Sequence, residues 1–277
     1  MTQSTPQRRR IPLAANQRTI ARDVRHVHDV RFDEMLVPGA VPADLSAPLW
    51  MRLVPPQMKA DPGLRQRFLR LAGFMLPEEG VLRPTVAGVL TAAEDPAVFL
   101  PNARTVVEWT LGGIGVSREI RGPLDRQILE ACRTVEDTVP GAYAPEALFE
   151  AVVNAAVHRD WSEGVEPVRI RIFRGFRPDR LEITSPGLLT GTMTVESLPF
   201  RTAVRNRLLV SLLTKVPLPE VWAKRLGRSR LIETRGEGVG TIIRATEALA
   251  GRAPVWKMVK GEGGPALRLT IPPAPRR

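Results

Sequence analysis

The sequence predicts an α/β fold: a two-layer sandwich of a mostly antiparallel sheet and helices, preceded by a smaller α+β region. Three observations carry that expectation. A helix from Pro145 to His158 is apolar almost all the way round, so it packs inside the molecule rather than on its surface. Two stretches after it, Val168 to Ile172 and Leu181 to Ile183, alternate apolar and charged residues, the mark of a sheet with one covered face. A glycine-rich loop, Arg235-Gly236-Glu237-Gly238-Val239-Gly240, then opens a helix running through Leu249.

Taken in order, residues 1–47 read as a basic, mostly irregular arm. It carries Arg8, Arg9, Arg10, Arg18, Arg22 and Arg25 and a turn-rich stretch from Val37 to Pro42, with little periodic apolar pattern. Residues 48–120 form the smaller helix and strand region. There, Gly63 to Met75 reads as a helix with Leu64, Phe68 and Leu71 on one face, Pro77 to Gly80 as a link into Leu82 to Leu90, and Thr105 to Leu111 as a strand. Residues 121–277 form the larger domain. Its first helix, Pro123 to Val139, places Leu124, Ile128, Leu129, Cys132 and Val135 at helical spacing. Pro145 suits the first position of the next helix, where its missing N–H costs nothing. A turn around Phe176-Arg177-Pro178-Asp179 makes a hairpin of the two alternating strands. An arginine-rich stretch from Thr202 to Thr214 reads as helical. Val255 to Val259 and Leu267 to Ile271 close the chain as a second hairpin across Gly261 to Gly264.

Composition narrows the function classes. A single cysteine, Cys132, excludes an intramolecular disulfide and points to a reducing compartment. Met1 to Arg10 is polar and basic, unlike a signal peptide, and no apolar run approaches the roughly 20 residues of a membrane helix. The expected location is the cytoplasm, with no membrane partner. The formal net charge is +11. Two readings stand: a polyanionic partner such as DNA, engaged through the arm, or arginine-rich codon usage with solvated side chains. A protein partner or a homodimer stays open as well. His26, His28 and His158 form no ligand cluster with Cys132, so no structural zinc is expected.

The helix from Pro145 to His158 is the most informative segment. At about 100° per residue, Glu150, Asn154 and His158 fall in one narrow stripe, with the small Ala147 and Ala151 beside it. A carboxylate, an amide and an imidazole inside an apolar environment need partners. Either a ligand with a metal ion supplies them, or an internal hydrogen-bond network does. The glycine loop likewise has two readings, a phosphate cradle at a helix N-terminus or a tight turn.

The run Glu150-xxx-Asn154-Ala155-xx-His158-Arg159-Asp160 resembles the N-box of GHKL ATPases. In particular it is similar to a bacterial branch in which a helicase-related C-terminal ATPase domain follows a Schlafen-like, AlbA-type putative DNA-binding domain. Further stretches carry the likeness in order: Leu82 to Gly88, Pro101 to Arg104, Arg118 to Leu124, Leu181 to Gly187 and Glu233 to Arg244. Arg31-Phe32-Asp33-Glu34 resembles the linker that follows the AlbA-type domain in longer relatives.

The resemblance implies a Bergerat-like fold and an ATP-binding regulatory protein, with ATP and Mg²⁺ as cofactors and slow or no hydrolysis. Its setting would be bacterial transcription control or defence. The alternative is a nucleotide-free scaffold that keeps the fold and binds nucleic acid or a protein. By position, Glu150 orients or deprotonates the attacking water, Asn154 binds Mg²⁺, and Gly236, Gly238 and Gly240 cradle phosphates. Ser185 and Gly187 stand where the family reads the base. The family places an aspartate there, and Ser185 carries no charge, which weakens adenine recognition. His158 either lines the pocket or caps its helix C-terminus, and Arg159 has the same two readings. The sequence contains no GxxxxGK[ST] loop, so no helicase motor is assigned.

Overall fold

The computed structural model describes residues 31–111, 113–162, 166–175, 178–233 and 236–275. The arginines from Arg8 to Arg25, the turn residues Phe176 and Arg177, and Arg235 of the glycine loop lie outside the described residues.

The smaller region starts with α1 (Ala47–Met51) and α2 (Pro62–Leu71). The Asp61 carboxylate caps α2 by accepting from the N–H groups of Gly63 and Leu64. This helix stops at Leu71 rather than Met75. Gly73 has φ 84°, and a Cβ there would lie 2.4 Å from Leu208 Cδ1, so the chain turns at that point. It continues into β1 (Met75–Glu78), which pairs antiparallel with β2 (Val81–Pro84). The Thr85 hydroxyl then accepts from Gly88 N–H and donates to the Gly73 carbonyl, capping α3 (Val86–Ala92). Every residue of α3 is buried.

The larger sheet has six strands in the order β4-β3-β5-β6-β8-β7. They are β3 (Thr105–Leu111), β4 (Ile114–Ile120), β5 (Val168–Phe173), β6 (Arg180–Pro186), β7 (Val255–Gly261) and β8 (Gly264–Ile271). Among the described residues, only β3 and β5 pair parallel. Thr105 to Ile120, placed with the smaller region on sequence grounds, are therefore two strands of the main sheet. The reason is the crossover: parallel strands need a long connection, and α4 (Leu124–Thr138) and α5 (Pro145–His158) provide it.

Both helices lie on one face of the sheet, α4 against β3 and β4, and α5 against β6. Val107, Ile170, Ile183 and Leu269 are partners in register across four strands, and each is buried. The opposite face carries Glu108, Arg169, Arg171, Arg180, Glu182 and Arg268 in ion pairs. After β6 come α6 (Arg207–Leu213), α7 (Glu220–Leu226) and α8 (Gly238–Ala250). α8 packs on α5, completing the helical layer of an α/β sandwich.

The helical expectation for Thr202 to Thr214 holds only from Arg207. Asn206 is the reason: its amide donates to the carbonyls of Val157 and Arg159, and that anchor keeps residues 202–206 out of the helix. The segment Phe32–Glu34 reaches the same place. Buried Asp33 accepts from the Leu209 N–H in the first turn of α6, and burial raises its carboxyl above the usual range despite that bond.

Candidate functional site

Between α5, the sheet and α8 lies a cavity of about 330 Å³, within the span of roughly 300–1,000 Å³ typical of small-molecule sites. Ile183, Leu267 and Leu269 line it from the sheet, Ile242 from α8, and the irregular segment around Leu188 and Met193 also borders it. Glu150, Asn154, His158, Ser185, Gly187, Gly236 and Gly238 all line it. Gly240 does not. It lies two residues along α8 from Gly238, about 200° round the helix, and a Cβ on it would meet Arg244 Nη1 at 2.9 Å.

Glu150, Asn154 and Gly238 converge at one point. A Cβ built on Gly238 would lie 2.9 Å from Glu150 Oε2 and 3.3 Å from Asn154 Nδ2, so only glycine lets the α8 backbone approach both groups. Among the described residues, nothing hydrogen-bonds the Asn154 amide. Among the described residues, no side chain caps the N-terminus of the 13-residue α8, which leaves its first N–H groups to an anion.

Glu150 has a partner. Arg228 Nη1 donates to Glu150 Oε1, while Arg228 Nη2 donates to the Leu231 carbonyl at 3.0 Å. The Arg228 guanidinium also stands over the Phe149 ring, 4.6 Å from its centroid. Sequence reading missed Arg228. Its one local signal is the left-handed Gly227 (φ 64°) that ends α7 just before it.

His158 is pushed down to about 4 by burial and by the Arg205 charge. It is neutral near pH 7 and cannot cap α5 as a cation; the Asn206 amide occupies that role. Arg159 is fully buried. It donates to the carbonyls of Asn102 and Glu166 and stacks over Trp161, tying strand connections together outside the cavity. Burial pushes its guanidinium down to about 9.

Ser185 donates its hydroxyl proton to the Ala155 carbonyl at 2.8 Å. Its oxygen therefore offers the cavity only acceptor lone pairs. Gly187 adopts φ 112°, and a Cβ there would lie 2.8 Å from Asp160 Cβ, so strand β6 leaves the sheet at a position that needs glycine.

Residues 166–263 match a family described as "Putative ATP-dependent DNA helicase recG C-terminal". This stretch, fewer than half of the residues, is an ATPase-like domain. It contains Ser185, Gly187, Arg228 and the glycine loop, while Glu150, Asn154 and His158 precede it. Among solved structures, the DIP2311 protein from Corynebacterium diphtheriae is similar in fold, with a TM-score of 0.59 and 21% identity over 97% of this chain. The chain spans about half of that protein, 51% of its length. No curated protein matches the chain. No helix among the described residues is long and apolar enough to cross a membrane.

Proposed function

We propose that the chain is an ATP-binding regulatory protein that turns Mg-ATP over slowly, in the cavity between α5 and α8. The observation that carries this reading is the meeting of Glu150 Oε2, the Asn154 amide and the Gly238 backbone at a helix N-terminus, the amide unpartnered and the terminus uncapped among the described residues. An amide oxygen without a protein partner would suit a hydrated Mg²⁺ arriving with a nucleotide, and the backbone donors beside it would suit the phosphates. Among the described residues no group of three or more His, Cys, Asp or Glu could hold a metal ion, so the phosphates themselves would complete the shell. Mg²⁺ would supply charge neutralisation on those phosphates.

The protein's own residues do the rest. The apolar walls from Ile183, Leu267 and Leu269 bury a base and exclude water. The lone pairs of Ser185 accept from an exocyclic amino group. Neutral His158 adds a polar edge without charge. The α8 N-terminus and Gly238 receive phosphate oxygens. Glu150 Oε2 takes up or orients the proton of the attacking water. A regulatory role in bacterial transcription control or defence, through DNA or another polyanion on the basic arm, belongs to the same proposal.

Calorimetric titration with Mg-ATP tests the reading. Wild type is expected to bind, and Asn154→Ala to bind about 1–3 kcal/mol more weakly, the cost of removing one partner from a buried polar site. Absence of binding to wild type would instead support the second reading, a nucleotide-free scaffold, which the lack of a carboxylate at Ser185 favours.

A further inference from the structure

We propose that Arg228 is the positioning residue for Glu150, holding one carboxylate oxygen so that the other faces Asn154 and Gly238. The proposal rests on the nucleotide reading above.

The contact between the two is one-sided. Arg228 uses Nη1 on Glu150 Oε1 and turns Nη2 to the Leu231 carbonyl. A two-pronged clamp would occupy both carboxylate oxygens; this arrangement leaves Oε2 free to point at the Gly238 backbone and the Asn154 amide. The guanidinium is itself held from several sides. The Leu231 carbonyl lies on one, and the ring of Phe149, fully buried and packed against Trp222, lies on another. Phe149 adjoins Glu150 on α5, so the residue that holds the carboxylate is braced by the same helix.

Both side chains are largely withdrawn from water, with relative exposures of 11% for Arg228 and 16% for Glu150. In such surroundings an ion pair keeps one geometry better than at a surface, where screening and side-chain entropy loosen it. Arg228 Nε is buried and has no partner among the described residues, so Arg228 is committed to this position by the groups on its two terminal nitrogens. Its place comes from α7, whose last turn closes when Arg228 N–H donates to the Ala223 carbonyl. A shift of α7, none of whose residues lines the cavity, would therefore move the Glu150 carboxylate within it.

The test compares wild type, Arg228→Met, Arg228→Lys, Glu150→Gln and the Glu150→Gln/Arg228→Met double variant, all in the full chain. Mg-ATP binding is read by calorimetry and hydrolysis by single-turnover assay. Arg228→Met is expected to bind Mg-ATP within about twofold of wild type, because the lost interaction acts on water rather than on nucleotide. Its hydrolysis should fall about 10²-fold, the scale of a misplaced catalytic group. Arg228→Lys should recover part of that loss, and the double variant should hydrolyse no more slowly than Glu150→Gln alone. Should Arg228→Met fail to fold, Arg228→Lys decides, with hydrolysis about tenfold down and binding intact.

Unchanged or faster hydrolysis in the Arg228 variants overturns the proposal, as does a parallel loss of binding. A wild type that binds Mg-ATP but never turns it over overturns the positioning role and the turnover part of the proposed function, and leaves the nucleotide site standing. A wild type that does not bind overturns the nucleotide reading itself and leaves Arg228 as a structural counter-ion.

Discussion

Arginine–carboxylate pairs occur on both sides of the six-stranded sheet, and they differ in what they leave free. On the outer face, Glu108 gives one oxygen to Arg169 and the other to Arg171, and Glu182 does the same for Arg180 and Arg268. Every oxygen is occupied. Burial alone would raise the Glu108 carboxyl, but Arg171 and Arg169 outweigh it and hold it below the usual carboxylate range. In the helical layer, Glu150 has a single arginine on a single oxygen. The same residue types thus build a network with an arginine on every carboxylate oxygen on one face and an oriented, half-engaged carboxylate on the other. The proposed chemistry is placed in the second arrangement because one carboxylate oxygen there carries no arginine.

Substitutions at the two carboxylates should separate these arrangements most sharply. Glu150→Gln keeps the shape of the side chain and is expected to bind Mg-ATP normally while hydrolysis falls by about 10²–10⁴-fold, the usual contribution of a general base. Parallel loss of binding in a calorimetric titration would make Glu150 structural, like its counterparts on the outer face.

A smaller effect is expected at His158, in the same stripe. In the folded chain it stays neutral down to about pH 4, against 6.5 for a free imidazole. The unfolded chain therefore takes up a proton that the folded chain refuses, so the stability that His158 contributes is complete above about 6.5 and is lost as pH falls toward 4. The loss is at most about 3 kcal/mol across that window. Denaturant unfolding of His158→Gln should show a flatter pH dependence than wild type between pH 4 and 6.5; an identical slope would mean that His158 is solvated. The smallest effect belongs to the outer face. Glu108→Gln, at a side chain 28% exposed, should change stability by about 1 kcal/mol or less, the upper end for water-screened pairs, and a larger fall in melting temperature would show that the network behaves as a buried one.

The sequence made the stripe on α5 legible, because three polar residues four apart on an otherwise apolar helix can face only one way. Gly238 was legible as a close approach, yet Gly240 was not separable from it, because which side of a helix a glycine occupies depends on where the helix begins. The partner of Glu150 was invisible: Arg228 lies 78 residues away in sequence, and no periodicity links the two. The placement of β3 and β4 was hidden for the same reason. Their membership of the main sheet depends on the parallel pairing of β3 with β5, Val107 opposite Ile170, a contact that local pattern cannot encode. The covered face of β5 and β6 was readable from alternation alone, with Ile170 and Ile183 inward and Arg169, Arg171 and Glu182 outward.

The central claim is that the α8 backbone at Gly238 forms the mouth of a nucleotide site with Glu150 and Asn154. Mg-ATP calorimetry on Gly238→Ala beside Gly240→Ala tests it most directly. The added methyl at Gly238 lands on Glu150 and Asn154, whereas at Gly240 it meets only the flexible end of Arg244. Affinity is expected to fall about tenfold or more, some 1.4 kcal/mol, in Gly238→Ala and to stay near wild type in Gly240→Ala. Equal affinities in the two variants would contradict the claim.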